Sequence, residues 1–253
     1  MPTPALMSAW PAHYERIHLV EVDSTNEEAR RRTEAGERGP VWIQADRQTS
    51  GRGRRGRTWS APAGNLAATL LLTTAKPMRE VGQLSFVAAL ATSDAIVRMA
   101  PKLELKLKWP NDVLVDGKKI AGILLESASA GSGPPSWLAI GVGINLKGHP
   151  PDTEFPATSI GSLDMPVPDP HHALTELAAA FAKWYEAWSE QGFAGIREAW
   201  LSRAAGIGSR MVARLQDKEV SGTFDGIDAN GALVLRETGG RVRLIGAGDV
   251  FFR

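Results

Sequence analysis

The sequence predicts an α+β protein in which a mixed-sheet domain with flanking helices (1–205) is followed by a small β-barrel (206–253). Two observations support this prediction. Over most of the chain, amphipathic helical patterns alternate with short apolar runs typical of strands. After Gly206 the helical patterns stop, and short strands follow one another between turn dipeptides such as Asn230-Gly231. Short strands at this spacing are typical of a small barrel.

The first domain is expected to contain four helices and a larger number of strands. The helices are predicted over residues 24–35, 80–99, 170–188 and 193–203. The strands are predicted over residues 41–45, 65–74, 103–109, 113–126 (a hairpin) and 137–146. Ser24 and Thr25 can cap the first helix, and Asp116-Gly117 can form the hairpin turn. Strict alternation over 103–109 predicts a half-exposed strand, and the six prolines of 147–170 predict a surface loop.

Composition limits the function classes. The chain has 253 residues and no cysteine, which excludes disulfides, thiolate nucleophiles and cysteine zinc sites. Lysine and arginine number 29 against 28 acidic residues, so a general nucleic-acid binder is disfavoured. The N-terminus has no signal-peptide pattern, and no apolar run approaches the roughly 18 residues of a membrane span. We therefore expect a cytoplasmic protein without a membrane partner.

The stretch SGRGRRGRTW, residues 50–59, holds three glycines and four arginines between two predicted strands. Gly51, Gly53 and Gly56 match G-x-G-x-x-G, but a dinucleotide site needs a helix directly afterwards, and the sequence predicts none. Arginine forks pair bidentately with phosphate or carboxylate, so we expect this arginine loop to close on an anion. A solvated basic loop and an RNA-binding segment are the alternatives.

A second polar cluster lies in KWPNDVLV, residues 108–115. Lys108, Asn111 and Asp112 surround a proline turn there, and Lys119 returns at the mouth of the next apolar strand. Each of these residues alone is also explained by turn formation or by a lysine that reaches solvent.

A third cluster is GVGIN, in which Gly141, Gly143 and Asn145 point to one face of a strand. Glycine weakens a strand, so it usually marks a close approach to the backbone. We expect a flat ligand to lie against this face.

Taken together, the clusters resemble a known family. SGRGRRGRTW resembles the G-R-G-R-x-G-R-x-W signature of biotin protein ligases, and KWPND, KKIAGILLE and GVGINL resemble the next three signatures in the same order. STN at 24–26 and Gln48 also match, and the run from FDGIDANG to GAGDV looks like the small C-terminal barrel of that family. The resemblance covers roughly residues 15–253. It implies a class II synthetase-like catalytic domain followed by an SH3-like barrel.

The resemblance implies a two-step ligase that uses ATP, Mg²⁺ and biotin. Biotin is activated as biotinyl-5′-AMP and then transferred to a lysine of a biotin carboxyl carrier domain of a biotin-dependent carboxylase. A lipoate-type protein ligase is the closest alternative enzyme. A non-catalytic RNA-binding module is the alternative from another class.

The resemblance also implies roles for individual residues. The implied catalytic residues are Arg52, Arg54 and Lys119. The implied biotin-binding residues are Ser24, Thr25, Asn26, Gln48, Gly51, Arg52, Gly53, Arg54, Lys119 and Gly122. The implied ATP-binding residues are Arg57, Trp59, Lys108, Asn111, Asp112 and Asn145. Asp112 is also the implied Mg²⁺ ligand, and Arg55 occupies a variable position without a role.

Many members of the family carry an N-terminal winged helix that binds operator DNA. The ligase pattern begins near residue 15 here, so we expect no such domain and no DNA partner. Whether the chain forms a homodimer is left open by the sequence, as is the function of the barrel.

Overall fold

The computed structural model describes residues 8–128, 133–151 and 153–252, and it confirms the α+β prediction. The strands of the first sheet are β1 (Glu15–Val22), β2 (Val41–Gln48), β3 (Leu66–Leu72), β4 (Leu105–Lys108), β5 (Asp112–Val115), β6 (Lys118–Ala128) and β7 (Trp137–Ile144). They hydrogen-bond in the order β1-β2-β3-β7-β6-β5-β4. The β1–β2 pair is parallel and the other pairs are antiparallel, so the sheet is mixed.

Helices cover both faces of this sheet. They are α1 (Thr25–Glu34), α2 (Met78–Val81), α3 (Leu84–Met99), α4 (Pro170–Gln191) and α5 (Phe193–Arg203). Ala29 of α1 packs with Val41 and Ile43 on one face, while α3 and α4 pack together on the other. Trp188 of α4 is fully buried in the main core. Among the helices that the structure describes, none is long and apolar enough to cross a membrane.

The predicted barrel is present as a five-stranded antiparallel sheet. Its strands are β8 (Arg210–Arg214), β9 (Glu219–Ile227), β10 (Leu233–Arg236), β11 (Val242–Ile245) and β12 (Asp249–Phe252), in the order β11-β10-β9-β8-β12. Phe224 and Val250 belong to the same hydrophobic cluster as Trp200 of α5. The indole nitrogen of Trp109 also donates to the Gly231 carbonyl at 3.0 Å. These contacts hold the small sheet against the first domain.

Two predictions about the helices are wrong in detail. The helix expected over 80–99 is interrupted at Gly82, so α2 and α3 are separate. Ser24 occupies the N-cap position of α1, but its side chain makes no capping hydrogen bond. The backbone N–H of Thr25 instead donates to the Gln48 side chain at 2.8 Å, so a neighbouring strand satisfies this helix terminus.

Two predictions about exposure also need correction. The strand β4 is not half-exposed along its length, because Lys108 is buried beside Leu107. The proline-rich segment 147–170 is not simply a surface loop, because Thr158, Ser159 and Ile160 are buried. Backbone hydrogen bonds tie this segment to Lys119 of β6, from Lys119 N to Pro156 O at 2.7 Å and from Thr158 N to Lys119 O at 2.9 Å.

Candidate active site

A cavity of about 320 Å³ lies between the arginine loop, the first sheet and β12. We call it the central cavity, and its volume is within the range of small-molecule pockets. All the site residues implied by the resemblance line it except Gly51. Gly51 is buried beside it, and a side chain there would collide with the Trp59 carbonyl and come within 2.9 Å of the Gln48 amide nitrogen. The three sequence clusters therefore meet at one place in the fold, together with residues 24–26 and Gln48.

One end of the central cavity is lined by neutral polar side chains, which hydrogen bonds connect to a hydroxyl and a carboxylate outside the lining. The Gln48 side-chain oxygen accepts from the backbone N–H of Thr25 at 2.8 Å and lies 3.1 Å from its hydroxyl. The Thr69 hydroxyl lies 2.8 Å from the Thr25 hydroxyl and 2.6 Å from Asn26 Oδ1. Asn26 Nδ2 donates to Glu126 at 2.7 Å. We call these five residues the floor chain.

Sequence reasoning missed Thr69 and Glu126. Thr69 is a fully buried hydroxyl within the apolar run of β3, and that pattern was a signal that could have been used. Glu126 gives no comparable signal, because it stands near the end of a long strand like any surface carboxylate.

Glycines in the first sheet accommodate the protein's own side chains. A Cβ on Gly141 would collide with the Asn26 amide, and a Cβ on Gly143 would collide with the Trp59 indole. Gly122 lies opposite Gly143 in the ladder, and a Cβ there would approach Trp59 to 3.2 Å. The expectation of a flat ligand directly on Gly141 and Gly143 is therefore wrong, since Asn26 and Trp59 occupy that space.

The arginines of the loop have three different sets of partners. Arg52 pairs with Glu27 at 3.1 Å and Glu126 at 3.2 Å. Arg54 donates from Nη1 to Asn111 Oδ1 and from Nη2 to the Gly248 carbonyl, both at 3.2 Å. Burial lowers the pKa of the Arg54 guanidinium below its usual range.

Arg57 instead pairs with Asp249, the first residue of β12. Arg55, to which the sequence assigns no role, also pairs with Asp249, at 3.2 Å. Burial would raise the pKa of Asp249, but the hydrogen bond from Arg57 together with the charges of Arg57, Arg55 and Arg54 outweighs burial and lowers it. Asp249 was missed by sequence reasoning, although it brings the small sheet into the wall of the central cavity.

Lys119 and Asp112 form an ion pair inside the central cavity, with Nζ 2.5 Å from Oδ1. The same ammonium lies 5.5 Å from the centre of the Trp59 ring. Apart from this pair, Asp112 Oδ1 has no hydrogen-bond partner among the described residues, and it is buried. A single carboxylate oxygen beside a phosphate-sized space fits Mg²⁺, which is usually bound by one or two carboxylates together with substrate phosphates.

Asn145 also lines the central cavity, and hydrogen bonds to neighbouring residues fix its side chain. Its Nδ2 donates to the Thr158 carbonyl at 3.0 Å, and its Oδ1 lies 3.4 Å from Asn65 Nδ2. Asn65 Oδ1 in turn accepts from the backbone N–H groups of residues 146–148, at 3.1, 2.9 and 3.1 Å. The side chain of Asn145 is therefore preorganised, and Asn65 is a further supporting residue that the sequence did not reveal.

Lys108 is a buried cation whose ammonium lies 3.9 Å from the centre of the Phe155 ring. Burial lowers the pKa of Lys108 to about 8 from a usual value of 10.5. The protein therefore keeps this lysine in a place where its charged form is disfavoured, which is common at functional sites.

Replacing Lys108 with methionine is expected to stabilise the protein at pH 7, with a gain that shrinks by pH 9.5. Between the folded pKa of about 8 and the unfolded pKa of 10.5, the unfolded chain binds more protons, so wild-type stability rises with pH. The energetic penalty of burying the charged lysine is fully present below pH 8, and the pKa shift corresponds to a penalty of at most about 3 kcal/mol. Urea titrations at both pH values measure the free energy of unfolding of the wild-type protein and the variant. The exposed neighbour Lys106→Met is the control, and an equal gain at both pH values would contradict the account.

A group of metal-ligating side chains lies outside the central cavity. His18, Asp46 and His171 are exposed, and their ligand atoms lie within 4.8 Å of one another. The Arg16 guanidinium approaches His171 Nδ1 to 2.7 Å, so a positive charge already adjoins this group. The histidine spacing in the sequence did not predict this cluster.

Comparisons with known proteins agree with the geometry. The profile of the Biotin/lipoate A/B protein ligase family matches residues 19–145, and that of the Biotin protein ligase C terminal domain matches residues 206–253. The chain is 46% identical over 241 residues to the biotin–[acetyl-CoA-carboxylase] ligase of Paracoccus denitrificans, covering 92% of this chain and 99% of that protein.

Two further relatives are less similar to this chain in sequence. The bifunctional ligase/repressor BirA of Bacillus subtilis is 35% identical over 215 residues, covering 82% of this chain and 65% of that protein. The structure of biotin protein ligase from Aquifex aeolicus in complex with biotin and ATP has a TM-score of 0.80 and 28% identity, covering 94% of this chain and 98% of that one. Identity across nearly the whole chain, with both family profiles matched in order, shows that the chain belongs to the biotin protein ligases.

Proposed function

We propose that this protein activates biotin with MgATP and transfers it to a lysine of a biotin carboxyl carrier domain. The observation that carries the proposal is the division of the central cavity into a neutral polar end and a cationic end. Membership of the biotin protein ligases supports the activity, and the name of the Paracoccus relative indicates acetyl-CoA carboxylase as the source of the carrier domain.

The neutral end suits the ureido ring of biotin. That ring presents one carbonyl acceptor and two N–H donors without a net charge. The floor chain lines this end with the side-chain amides of Asn26 and Gln48 and the hydroxyl of Thr25. The dithiolane ring of lipoate has no such donors or acceptors, so buried amides facing it would be left unpaired. The geometry therefore favours biotin over lipoate.

The cationic end suits the activation step. A biotin carboxylate oxygen attacks the α-phosphorus of ATP, and the bond from that phosphorus to the bridging oxygen breaks to release pyrophosphate. Two anions must meet, so cations are needed to stabilise the transition state. Lys119, Arg54 and Arg57 line this end with their charged groups. Mg²⁺, when held by Asp112 and the phosphates, would neutralise further negative charge on the nucleotide.

The transfer step needs no nucleophile from this chain. The ε-amine of the carrier lysine attacks the acyl carbon of biotinyl-5′-AMP, the acyl–oxygen bond breaks, and AMP leaves with the electron pair. The amine loses its proton to water. The protein's part is to hold the mixed anhydride away from water, which Arg52 and Arg54 support by binding the arginine loop to Glu126, Asn111 and Gly248.

Trp59→Ala is expected to weaken ATP binding far more than biotin binding. We propose that Trp59, which lines the central cavity above Gly143, stacks on the adenine ring. Loss of one base–aromatic stack costs about 1–3 kcal/mol, which is about 5- to 150-fold in the dissociation constant. Gly143→Ala should give the same pattern by displacing the indole, whereas Gly148→Ala, which meets open space, should not. Calorimetric titration with each ligand checks this, and an unchanged ATP constant in Trp59→Ala would remove the stacking role.

Transfer to the carrier tests the whole proposal. The protein is incubated with biotin, MgATP and an isolated biotin carboxyl carrier domain, and the product is examined by mass spectrometry. We expect one biotinyl group on the carrier lysine and none on a carrier variant in which that lysine is arginine. A carrier that gains no group, or gains lipoyl when lipoate replaces biotin, would contradict the proposal.

Several finer statements stay predictions. These are cytoplasmic localisation, the absence of DNA and membrane partners, and a domain boundary between residues 205 and 206. They rest on the sequence analysis alone.

A further inference from the structure

We propose that Glu126 is a positioning residue for biotin, which sets the direction of the hydrogen bonds in the floor chain and holds Arg52 over the same end of the central cavity. This inference rests on the proposed function. Glu126 does not line the cavity itself, so any effect on the ligand must pass through its neighbours.

The first step of the argument is the orientation of Asn26. A carboxylate accepts hydrogen bonds and does not donate them. Asn26 Nδ2 lies 2.7 Å from Glu126 Oε2 and 3.4 Å from the Leu124 carbonyl, so two acceptors face the amide nitrogen. Asn26 Oδ1 is therefore turned toward Thr69, whose hydroxyl lies 2.6 Å away.

The second step follows this direction along the chain. The single hydroxyl proton of Thr69 faces two acceptors, Asn26 Oδ1 at 2.6 Å and the Thr25 hydroxyl oxygen at 2.8 Å, and it goes to Asn26 Oδ1 as long as Glu126 keeps that oxygen turned toward Thr69. The backbone N–H and the hydroxyl of Thr25 both donate to Gln48 Oε1, at 2.8 and 3.1 Å, which leaves Gln48 Nε2 on the side of Gly51. Glu126 thus sets the orientation of the Asn26 amide and the acceptor of the Thr69 hydroxyl, while Thr25 sets the orientation of Gln48.

The third step connects this floor to the arginine loop. Glu126 Oε2 lies 2.7 Å from Asn26 Nδ2 and also 3.2 Å from Arg52 Nη2. One carboxylate oxygen therefore joins the floor of the cavity to the loop above it. Glu27 also pairs with Arg52, at 3.1 Å, but among the described residues its side chain makes no hydrogen bond to the floor chain. Glu27 is thus a matched control that shares the ion pair but not the orienting hydrogen bond.

The test compares Glu126→Gln with Glu27→Gln in the full chain. Glutamine keeps the size of glutamate but can donate, so Asn26 is free to turn over and the floor chain loses its direction. Dissociation constants are measured by calorimetry for biotin and for 2-iminobiotin, which carries a nitrogen donor in place of the ureido carbonyl. Initial rates of biotin-dependent pyrophosphate exchange give KM and kcat.

For Glu126→Gln we expect the dissociation constant and KM for biotin to rise about tenfold or more, with kcat at saturating biotin within about threefold of wild type. The ratio of the 2-iminobiotin dissociation constant to the biotin dissociation constant should fall, because a turned Asn26 amide presents the opposite order of donor and acceptor to the end of the cavity that it lines. Glu27→Gln should change each quantity by less than about threefold, as expected for a half-exposed ion pair. Glu126→Asp, which keeps an acceptor-only carboxylate, should retain the preference for biotin.

The proposal would be overturned if Glu126→Gln and Glu27→Gln changed the dissociation constant and the KM for biotin equally. It would also be overturned if Glu126→Gln weakened the binding of biotin and of 2-iminobiotin by the same factor, since a purely structural role for Glu126 would give that result. If the wild-type protein itself does not bind biotin, the proposed function is contradicted. This result differs from those that contradict the role of Glu126, so the two can be told apart. Thermal unfolding of each variant shows that a folded protein is being compared.

Discussion

Lys119→Ala is expected to abolish biotinyl-5′-AMP formation while the protein stays folded. The Lys119 ammonium is directed into the central cavity, where it pairs with Asp112 beside the Trp59 ring. Loss of a preorganised charge that stabilises a phosphoryl-transfer transition state costs about 10²–10³ in rate. The structural cost is about 1–3 kcal/mol, because the buried Asp112 Oδ1 loses its partner, and a domain of ordinary stability tolerates a loss of that size.

Single-turnover formation of labelled biotinyl-5′-AMP measures the effect, and circular dichroism checks the fold. The matched control is Lys118→Ala, which removes an exposed lysine from the same strand. The control should form the adenylate at the wild-type rate. Wild-type formation in Lys119→Ala would remove this lysine from the reaction.

Arg54→Ala is expected to form the adenylate but release it. Arg54 joins the arginine loop to Asn111 of the first sheet and to the Gly248 carbonyl before β12. Hydrogen bonds from a charged donor contribute about 1.5–3 kcal/mol each, so their loss should raise the rate of release at least tenfold. The freed mixed anhydride would then react with water and with amines outside the protein.

Retention is measured by preforming labelled biotinyl-5′-AMP on the protein and following its release after a chase with unlabelled intermediate. Arg55→Ala is the control, since Arg55 contacts Asp249 and Arg214 but neither Asn111 nor Gly248. A variant that retains the intermediate as tightly as wild type would show that Arg54 does not hold the loop closed.

The sequence could predict the central cavity for two reasons. The clusters match the signatures of one family in the same order, and they lie at the ends of strands in one sheet. The arginine loop follows β2, Asn111 and Asp112 open β5, and Asn145 follows β7. Once the strands are paired, these ends are neighbours. The alternation of helical and strand patterns likewise predicted the mixed sheet, since these periodicities depend on local residues alone.

Supporting residues could not be predicted in the same way. Asp249 stands 192 residues after Arg57, and only the packing of the small sheet brings them together. Glu126 meets Asn26 across 100 residues because α1 packs over the first sheet. Lys108 is buried against Phe155, which lies in a segment whose prolines suggested a surface loop. Tertiary packing decides each of these contacts, and no local pattern records it.

The central claim is that the polar and cationic ends of one cavity bring biotin and ATP together for adenylate formation. Exchange of labelled pyrophosphate into ATP measures this directly, with biotin, with lipoate and with neither, in the presence of magnesium. We expect exchange with biotin alone. Exchange that requires lipoate would keep the chemistry but contradict the assigned substrate, and the absence of exchange in all three samples would contradict the account of the site.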